Sequence, residues 1–299
     1  MGYRPRMGRY DRLRKIEELD ARADHVEIYH LMCGYEFPWD ITRALEVALY
    51  RTYCVPSISA LLDRTGEFYK RTQKRYDDTA LIVAELSKWG YDSQRGREAI
   101  GRMNRAHGRF DISNDDFLYV LSTFIYEPIR WIDRFGWRAL SSNEKVASYY
   151  FWREVGKRMG IKEIPDTYEK FRRFSADYER RNFRFAETNR RIGSATRDLF
   201  ASWLPRIFAP LVRSGIYAIL DDAMLASFGF PPPSGFMRRL VSGILVLRGL
   251  AVRILPARKT PNFFTDRPNR TYPYGYTIAK LGPPEINQSR TRTEIEGES

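Results

Sequence analysis

The chain has 299 residues, 43% of them hydrophobic and 14% aromatic, enough to bury a sizeable core in one large domain or two ordinary ones. A charged fraction of 29% excludes a disordered chain. The formal net charge of +13, carried mostly by arginine, points to an anionic neighbour: nucleic acid, an acidic membrane surface or an anionic ligand.

Apolar spacings of three and four recur through most of the chain and sustained alternation is scarce, so the reading is helical. A charge-rich amphipathic helix is predicted over 10–32, broken by Phe37-Pro38-Trp39-Asp40, with Asp40 as the cap of a helix over 41–52. Pro56 and Ser57 open a helix over 57–69. The next runs over 71–88 and stops near Gly90, and a fifth covers 94–108. Ser113 with Asp116, and Ser141 with Glu144, have capping-box spacing. They open helices over 114–134, with Pro128 inside, and from 142 to near Gly160. Pro165-Asp166 starts a long helix to about 191, and helical pieces follow at 195–202, 206–227 and 236–254. Beyond Pro256 the chain turns irregular, with Tyr272-Pro-Tyr-Gly-Tyr276 as a loop or short strand, and disorder is expected over 286–299.

No repeat and no clear linker interrupts this pattern. The expectation is one all-α domain, with an N-terminal helical extension over 1–34, the main body over 35–256, and an irregular segment over 257–299 packed on it. The two cysteines, Cys33 and Cys54, form no CxxC motif and read as buried free thiols in a reducing compartment. The charged first thirty residues carry no secretory signal. The most apolar stretch, Leu199–Leu255, is broken by Arg206, Arg213, Asp221, Asp222, Arg238, Arg239, Arg248 and Arg253, and so offers no spanning segment. The expected location is cytoplasmic, with room for a peripheral contact with a membrane.

Candidate chemistry is sparse. His25 and His30 are five apart, off the three- or four-residue spacing that puts two ligands on one helical face. Ile100, Met103 and His107 follow one another at spacings of three and four, which puts the imidazole on an apolar face. A lone histidine there is either a hydrogen-bonded core residue or a metal ligand. As a ligand to iron it needs a neutral ring with its second nitrogen held by an acceptor. Arg75 and Thr79, four apart, head the apolar stripe of Ile82, Val83 and Leu86. They form either a surface arginine and a threonine bonded back to the helix, or a polar corner in a greasy pocket. Asp77-Asp78 and Asp221-Asp222 lack the third acid one turn on that a diphosphate–magnesium site needs. The arginine- and aromatic-rich stretch 171–191 reads as an amphipathic helix with a solvated basic side, so no nucleic acid partner is expected. The common nucleotide, hydrolase and zincin signatures are absent.

Several ordered segments carry a resemblance. They include Tyr35-Glu-Phe-Pro-Trp-Asp40, Arg51-Thr-Tyr-Cys-Val-Pro-Ser-Ile-Ser59, Lys74-Arg-Tyr-Asp-Asp-Thr79, Met103-Asn-Arg-Ala-His107 and Ile112-Ser-Asn-Asp-Asp-Phe-Leu-Tyr119. Glu127-Pro-Ile-Arg-Trp131, Gly136-Trp-Arg138, Arg158-Met-Gly-Ile161, Tyr272-Pro-Tyr-Gly-Tyr276 and Leu281-Gly282 continue the series. Together they resemble the MpaB branch of the MpaB/latex-clearing-protein family, in the family's order over 35–282.

That resemblance implies a globin-like helical core binding haem b, and O2-dependent cleavage of a carbon–carbon double bond in an isoprenoid or other lipophilic substrate. It implies His107 as axial iron ligand, and Arg75 and Thr79 as the distal pair that orients oxygen. Two departures stand out. Asp78 occupies the position before the threonine where some latex-clearing proteins have a lysine. The glutamate proposed as base in the rubber enzymes has no match, Glu67 being the candidate by proximity alone. The fungal branch is anchored to the endoplasmic reticulum, and no anchor segment is read here. The pocket lining is expected within Phe117–Trp131 and Tyr149–Trp152. The alternatives are monooxygenase or peroxidase-like haem chemistry on the same fold, a non-catalytic haem or lipid binder, or a basic membrane- or nucleic-acid-surface protein.

Overall fold

A computed structural model describes residues 8–283, and the disorder expected over 286–299 lies outside them. Among the described residues there are helices and turns and no strand. The order is α1 (Asp11–Glu18), α2 (His25–Leu31), a π-helical turn (Met32–Glu36), α3 (Pro38–Thr52), α4 (Pro56–Thr65), α5 (Glu67–Lys70), α6 (Thr72–Trp89) and α7 (Gln94–His107). Then come α8 (Asn114–Phe135), α9 (Ser142–Arg158), α10 (Tyr168–Asn182), α11 (Glu187–Ser202), a 3-10 turn (Arg206–Phe208), α12 (Ala209–Ile219), α13 (Asp222–Phe228) and α14 (Gly235–Ile254).

Several boundaries are set by local chemistry. Ser113 accepts the Asp116 amide at 3.1 Å and starts α8, which continues through Pro128. Ser141 and Glu144 form a reciprocal capping box at the start of α9. Four predicted helices are broken, that over 206–227 dividing into a 3-10 turn, α12 and α13, with Asp221 accepting the Met224 amide at 2.9 Å at the start of α13. The first splits at Asp20, whose carboxylate accepts the Arg22 and Ala23 amides at 2.8 and 2.6 Å and turns the chain. The helix over 57–69 ends at Gly66, whose φ of +68° leaves the right-handed region. The helix to 191 opens at Phe183–Ala186, where Asn189 binds the Arg184 carbonyl at 2.9 Å. Asp40 is no cap. It sits in the first turn of α3, buried, accepting Arg248 of α14 at 2.6 and 2.7 Å and Trp131 of α8 at 3.3 Å.

The main core surrounds α8, which α3, α9, α10 and α14 flank. Tyr29, Phe37, Leu81, Leu86, Ile125 and Phe151 are at its centre. A second cluster, around Tyr50, Ile192, Met224 and Phe228, joins α3 to α11 and α13. Both cysteines are buried and free.

Buried ion pairs tie these layers together. Arg51 of α3 faces Glu127 of α8 at 2.9 Å, Glu179 of α10 at 3.0 Å and Asp221 at 2.5 Å. Glu36 and Glu144, both fully enclosed, share Arg138, and Glu36 also holds Arg12 at 3.0 Å. Charges this deep are tolerated only with such complete partnering. The segment after Pro256 forms turns rather than a strand and is latched to α6 and α7. Asp77 accepts the Thr271 amide at 2.9 Å, Asp78 the Tyr272 hydroxyl at 2.6 Å and the Gly282 amide at 2.9 Å, and Arg102 donates to the Leu281 carbonyl.

Candidate active site

Of the three histidines, His25 and His30 are occupied. His25 contacts the Arg22 carbonyl at 2.6 Å and the Tyr91 hydroxyl at 2.5 Å, and His30 contacts the Lys88 carbonyl at 2.9 Å. His107, the last residue of α7, is different. Its Nδ1 is enclosed and has no hydrogen-bond partner among the described residues, and its ring meets Phe117 of α8 edge-on at 5.5 Å. Burial, reinforced by the positive charge of Arg75, pushes the imidazole down to about 4, so it is neutral at physiological pH. The acceptor expected on its second nitrogen is not found: Nδ1 is the orphan. A buried polar atom without a partner is costly and calls for an explanation.

The positive charge that His107 feels comes from the first turn of α6. There the Arg75 guanidinium donates to the Thr79 hydroxyl, and that hydroxyl donates back to the Arg75 carbonyl at 3.0 Å. The guanidinium also lies 5.5 Å from the Phe68 ring. The helix spacing therefore brings the two side chains into contact, and the fold brings the Arg75 charge within range of His107. Of the three, only Thr79 lines a cavity: it joins Thr42, Glu46, Tyr76 and Ser87 as polar lining of a mainly apolar cavity between α3 and α6, walled by Ile41, Leu45, Leu49, Val83 and Phe124. Its empty volume, which includes space open to solvent, is about 610 Å³. Of the lining expected on α8 and α9, Phe124 reaches this cavity. Tyr126, Tyr149, Phe151 and Trp152 pack in the main core instead.

Glu46 was missed from the sequence. It sits on the cavity wall of α3, accepts the Tyr76 hydroxyl at 2.5 Å and pairs with Arg43 at 2.7 Å. Burial lifts its carboxyl to about 7, with Arg43 and Tyr76 offsetting only part of that rise. Spacing alone could have placed Glu46 beside Thr42, Leu45 and Leu49, but not against Tyr76 of another helix. Glu67 is not part of this wall; its carboxylate is taken by Arg71 one turn on, at 2.9 Å. Asp78 is likewise committed to Lys74, Tyr272 and Gly282, so it does not stand in for a lysine cap.

The acidic pairs also resolve into structural roles. Asp221 caps α13 by accepting the Met224 amide at 2.9 Å and pairs with Arg51, while Asp222 pairs with Arg238. No group of three or more potential metal-ligating side chains occurs among the described residues.

Residues 42–254 match the family described as "ER-bound oxygenase mpaB/B'/Rubber oxygenase, catalytic domain". The ER-bound oxygenase mpaB' of Penicillium brevicompactum is 29% identical over 261 residues, which cover 80% of this chain and 62% of that protein. The ER-bound oxygenase mpaB of Penicillium roqueforti (strain FM164) is 31% identical over 245 residues, 72% of this chain and 82% of that protein. The mpaB of Penicillium brevicompactum is 38% identical over 136 residues, 44% of this chain and 35% of that protein. The chain thus spans under two thirds of the first relative's length and most of the second's. The matched span holds His107, Arg75, Thr79 and Glu46 together, and the chain belongs to the family of mpaB/B' and rubber oxygenase catalytic domains.

Proposed function

We propose that this chain is a haem-b-dependent oxygenase that uses O2 to cleave a carbon–carbon double bond in an isoprenoid or other lipophilic substrate. The observation that carries the proposal is His107: a half-buried, neutral imidazole with an enclosed, unpartnered nitrogen, under the positive charge of Arg75, whose partner Thr79 lines an apolar cavity. These residues fit a haem. A neutral imidazole is the form that ligates iron, and the arginine-rich balance of the chain suits the two propionate carboxylates. The helical core of this chain would then be a globin-like haem-binding core, with His107 as the residue that would hold the iron.

When bound, the haem supplies the activation of O2. The remaining roles belong to the chain's own side chains. The Thr79 hydroxyl, which accepts from the Arg75 guanidinium, would donate to oxygen in the cavity by turning its proton away from the Arg75 carbonyl. Ile41, Leu45, Leu49, Val83 and Phe124 bind the hydrocarbon and exclude water. Glu46, with its carboxyl near 7, can hold or release a proton at the cavity wall, and Tyr76 orients it. All three relatives' names carry "ER-bound", and we extend a peripheral membrane contact to this chain; no described helix is long and apolar enough to cross a bilayer.

The test is product analysis under labelled O2 with a panel of isoprenoid substrates. Cleavage gives two carbonyl products, each with one labelled oxygen, and the equation balances with one O2 per alkene. A single alcohol bearing one labelled oxygen would instead assign a monooxygenase. No O2 uptake by the haem-loaded protein across the panel would argue for a binding protein.

A further inference from the structure

α14 has two unlike faces. Inward, Gly249 is buried against the Phe135 and Gly136 carbonyls at the C-terminal end of α8, and Leu245 and Val252 pack on the main core. Outward, Phe236, Leu240, Ile244, Leu247 and Ile254 follow at steps of four, four, three and seven, which keeps them on one helical stripe. All five are exposed, with Phe236 at 71%, Leu247 at 66% and Ile254 at 86%. α12 packs alongside α14, the turn before it adds Ile207, 78% exposed, and Phe208, and its own first turn adds Leu211. Most of the large apolar side chains that the described residues expose are gathered on this face. A continuous patch of this kind marks an interaction site rather than scatter.

The charge around it selects the partner. From Ala223 to Lys259 there is no acidic residue, while Arg238, Arg239, Arg248, Arg253, Arg258 and Lys259 are basic. Arg238 and Arg248 are spent on Asp222 and Asp40. Arg206, Arg239 and Arg253 are exposed and form no ion pair among the described residues. Two copies of this face would set unpaired arginines against each other with no carboxylate between them. An anionic bilayer supplies both what the stripe and the arginines lack: hydrocarbon and negative charge.

We propose that the outer face of α12 and α14 docks on an anionic lipid bilayer, with the apolar stripe sunk into the headgroup boundary and Arg206, Arg239 and Arg253 against lipid phosphates. The proposal rests on the peripheral membrane contact proposed above and is independent of the haem reading. Arg248 grips Asp40 in the first turn of α3, and Ile41, Leu45 and Leu49 on the same helix line the cavity. The docking face is thereby braced on the helix that walls the candidate active site, which suits a substrate delivered from the lipid phase.

The test is co-sedimentation of the full chain with phosphatidylcholine vesicles, with and without phosphatidylserine, at low and high salt. The wild-type protein should bind the phosphatidylserine vesicles, more tightly at low salt. The variant Ile244→Asn/Leu247→Asn/Ile254→Asn should lose binding at least ~10-fold, and Arg239→Gln/Arg253→Gln about 30-fold at low salt, taking about 1 kcal/mol per basic residue. All five positions are exposed, so circular dichroism and the melting temperature should not move. No binding by the wild type would overturn the membrane contact itself. Wild-type binding that both variants retain would overturn this face while leaving the membrane contact standing. A wild-type dimer in sedimentation that the apolar variant converts to monomer would reassign the face to self-association.

Discussion

Replacing Glu46 with glutamine tests whether the cavity wall holds a proton near neutrality. Its side chain is 12% exposed, and burial raises the carboxyl from 4.5 to about 7. A raised acid binds its proton more tightly in the folded than in the unfolded protein, so stability falls as pH rises. The loss begins near the unfolded value of 4.5 and is complete once the pH has passed the folded value of about 7. At 1.36 kcal/mol per tenfold change in proton affinity the full rise corresponds to ~3 kcal/mol. Water entering the open cleft trims this to ~2 kcal/mol. Glutamine keeps the volume and the contact with the Tyr76 hydroxyl but does not titrate. Urea denaturation at pH 5 and pH 8 should therefore show Glu46→Gln gaining ~2 kcal/mol on the wild type between the two. A difference between the proteins that stays constant over that range would refute the reasoning. If Glu46 also accepts a proton in turnover, the wild-type rate should rise through pH 7 and the variant's should not.

Two further substitutions probe the scaffold. Arg51→Met leaves Glu127 and Glu179 with the more exposed Arg130 as their shared cation, and should cost up to about 3 kcal/mol in denaturant unfolding, the low end for breaking a buried pair. Gly249→Ala would place a methyl 2.7 Å from the Phe135 carbonyl, so α14 must lift from α8, at about 1–3 kcal/mol and a lower melting temperature. Arg75→Met should relieve the positive charge beside His107 and raise its pKa, read by NMR titration of the imidazole, because that charge adds to burial in holding it down.

Much of the helical order was legible because its signals are local. Ser113, Ser141 and Glu144 mark helix starts by their own hydrogen bonds, and Arg75 with Thr79 meets at the spacing one helical turn imposes. The errors came where partners are distant in sequence. Asp40 has the look of a cap, but Arg248, more than two hundred residues on, draws it into the core. The break at Phe183–Ala186 lies inside a continuous amphipathic pattern, where Phe183 packs edge-on against Tyr119 and lies beneath the Arg51 guanidinium. Glu46 acquires its character from a cavity between two helices, which no spacing encodes. Several segments that carry the family resemblance prove to be scaffold: Arg51, Glu127 and Glu36 hold buried ion pairs, and Asp77 and Asp78 latch the C-terminal segment.

The central claim is that His107 holds a haem iron, and the visible absorption spectrum tests it most directly. The wild-type protein, purified or reconstituted with haem, should show a Soret band. His107→Ala, folded by circular dichroism, should lose it or show the shifted band of haem without its axial imidazole. No Soret band in haem-saturated wild-type protein, or an identical spectrum and haem content in His107→Ala, would contradict the account.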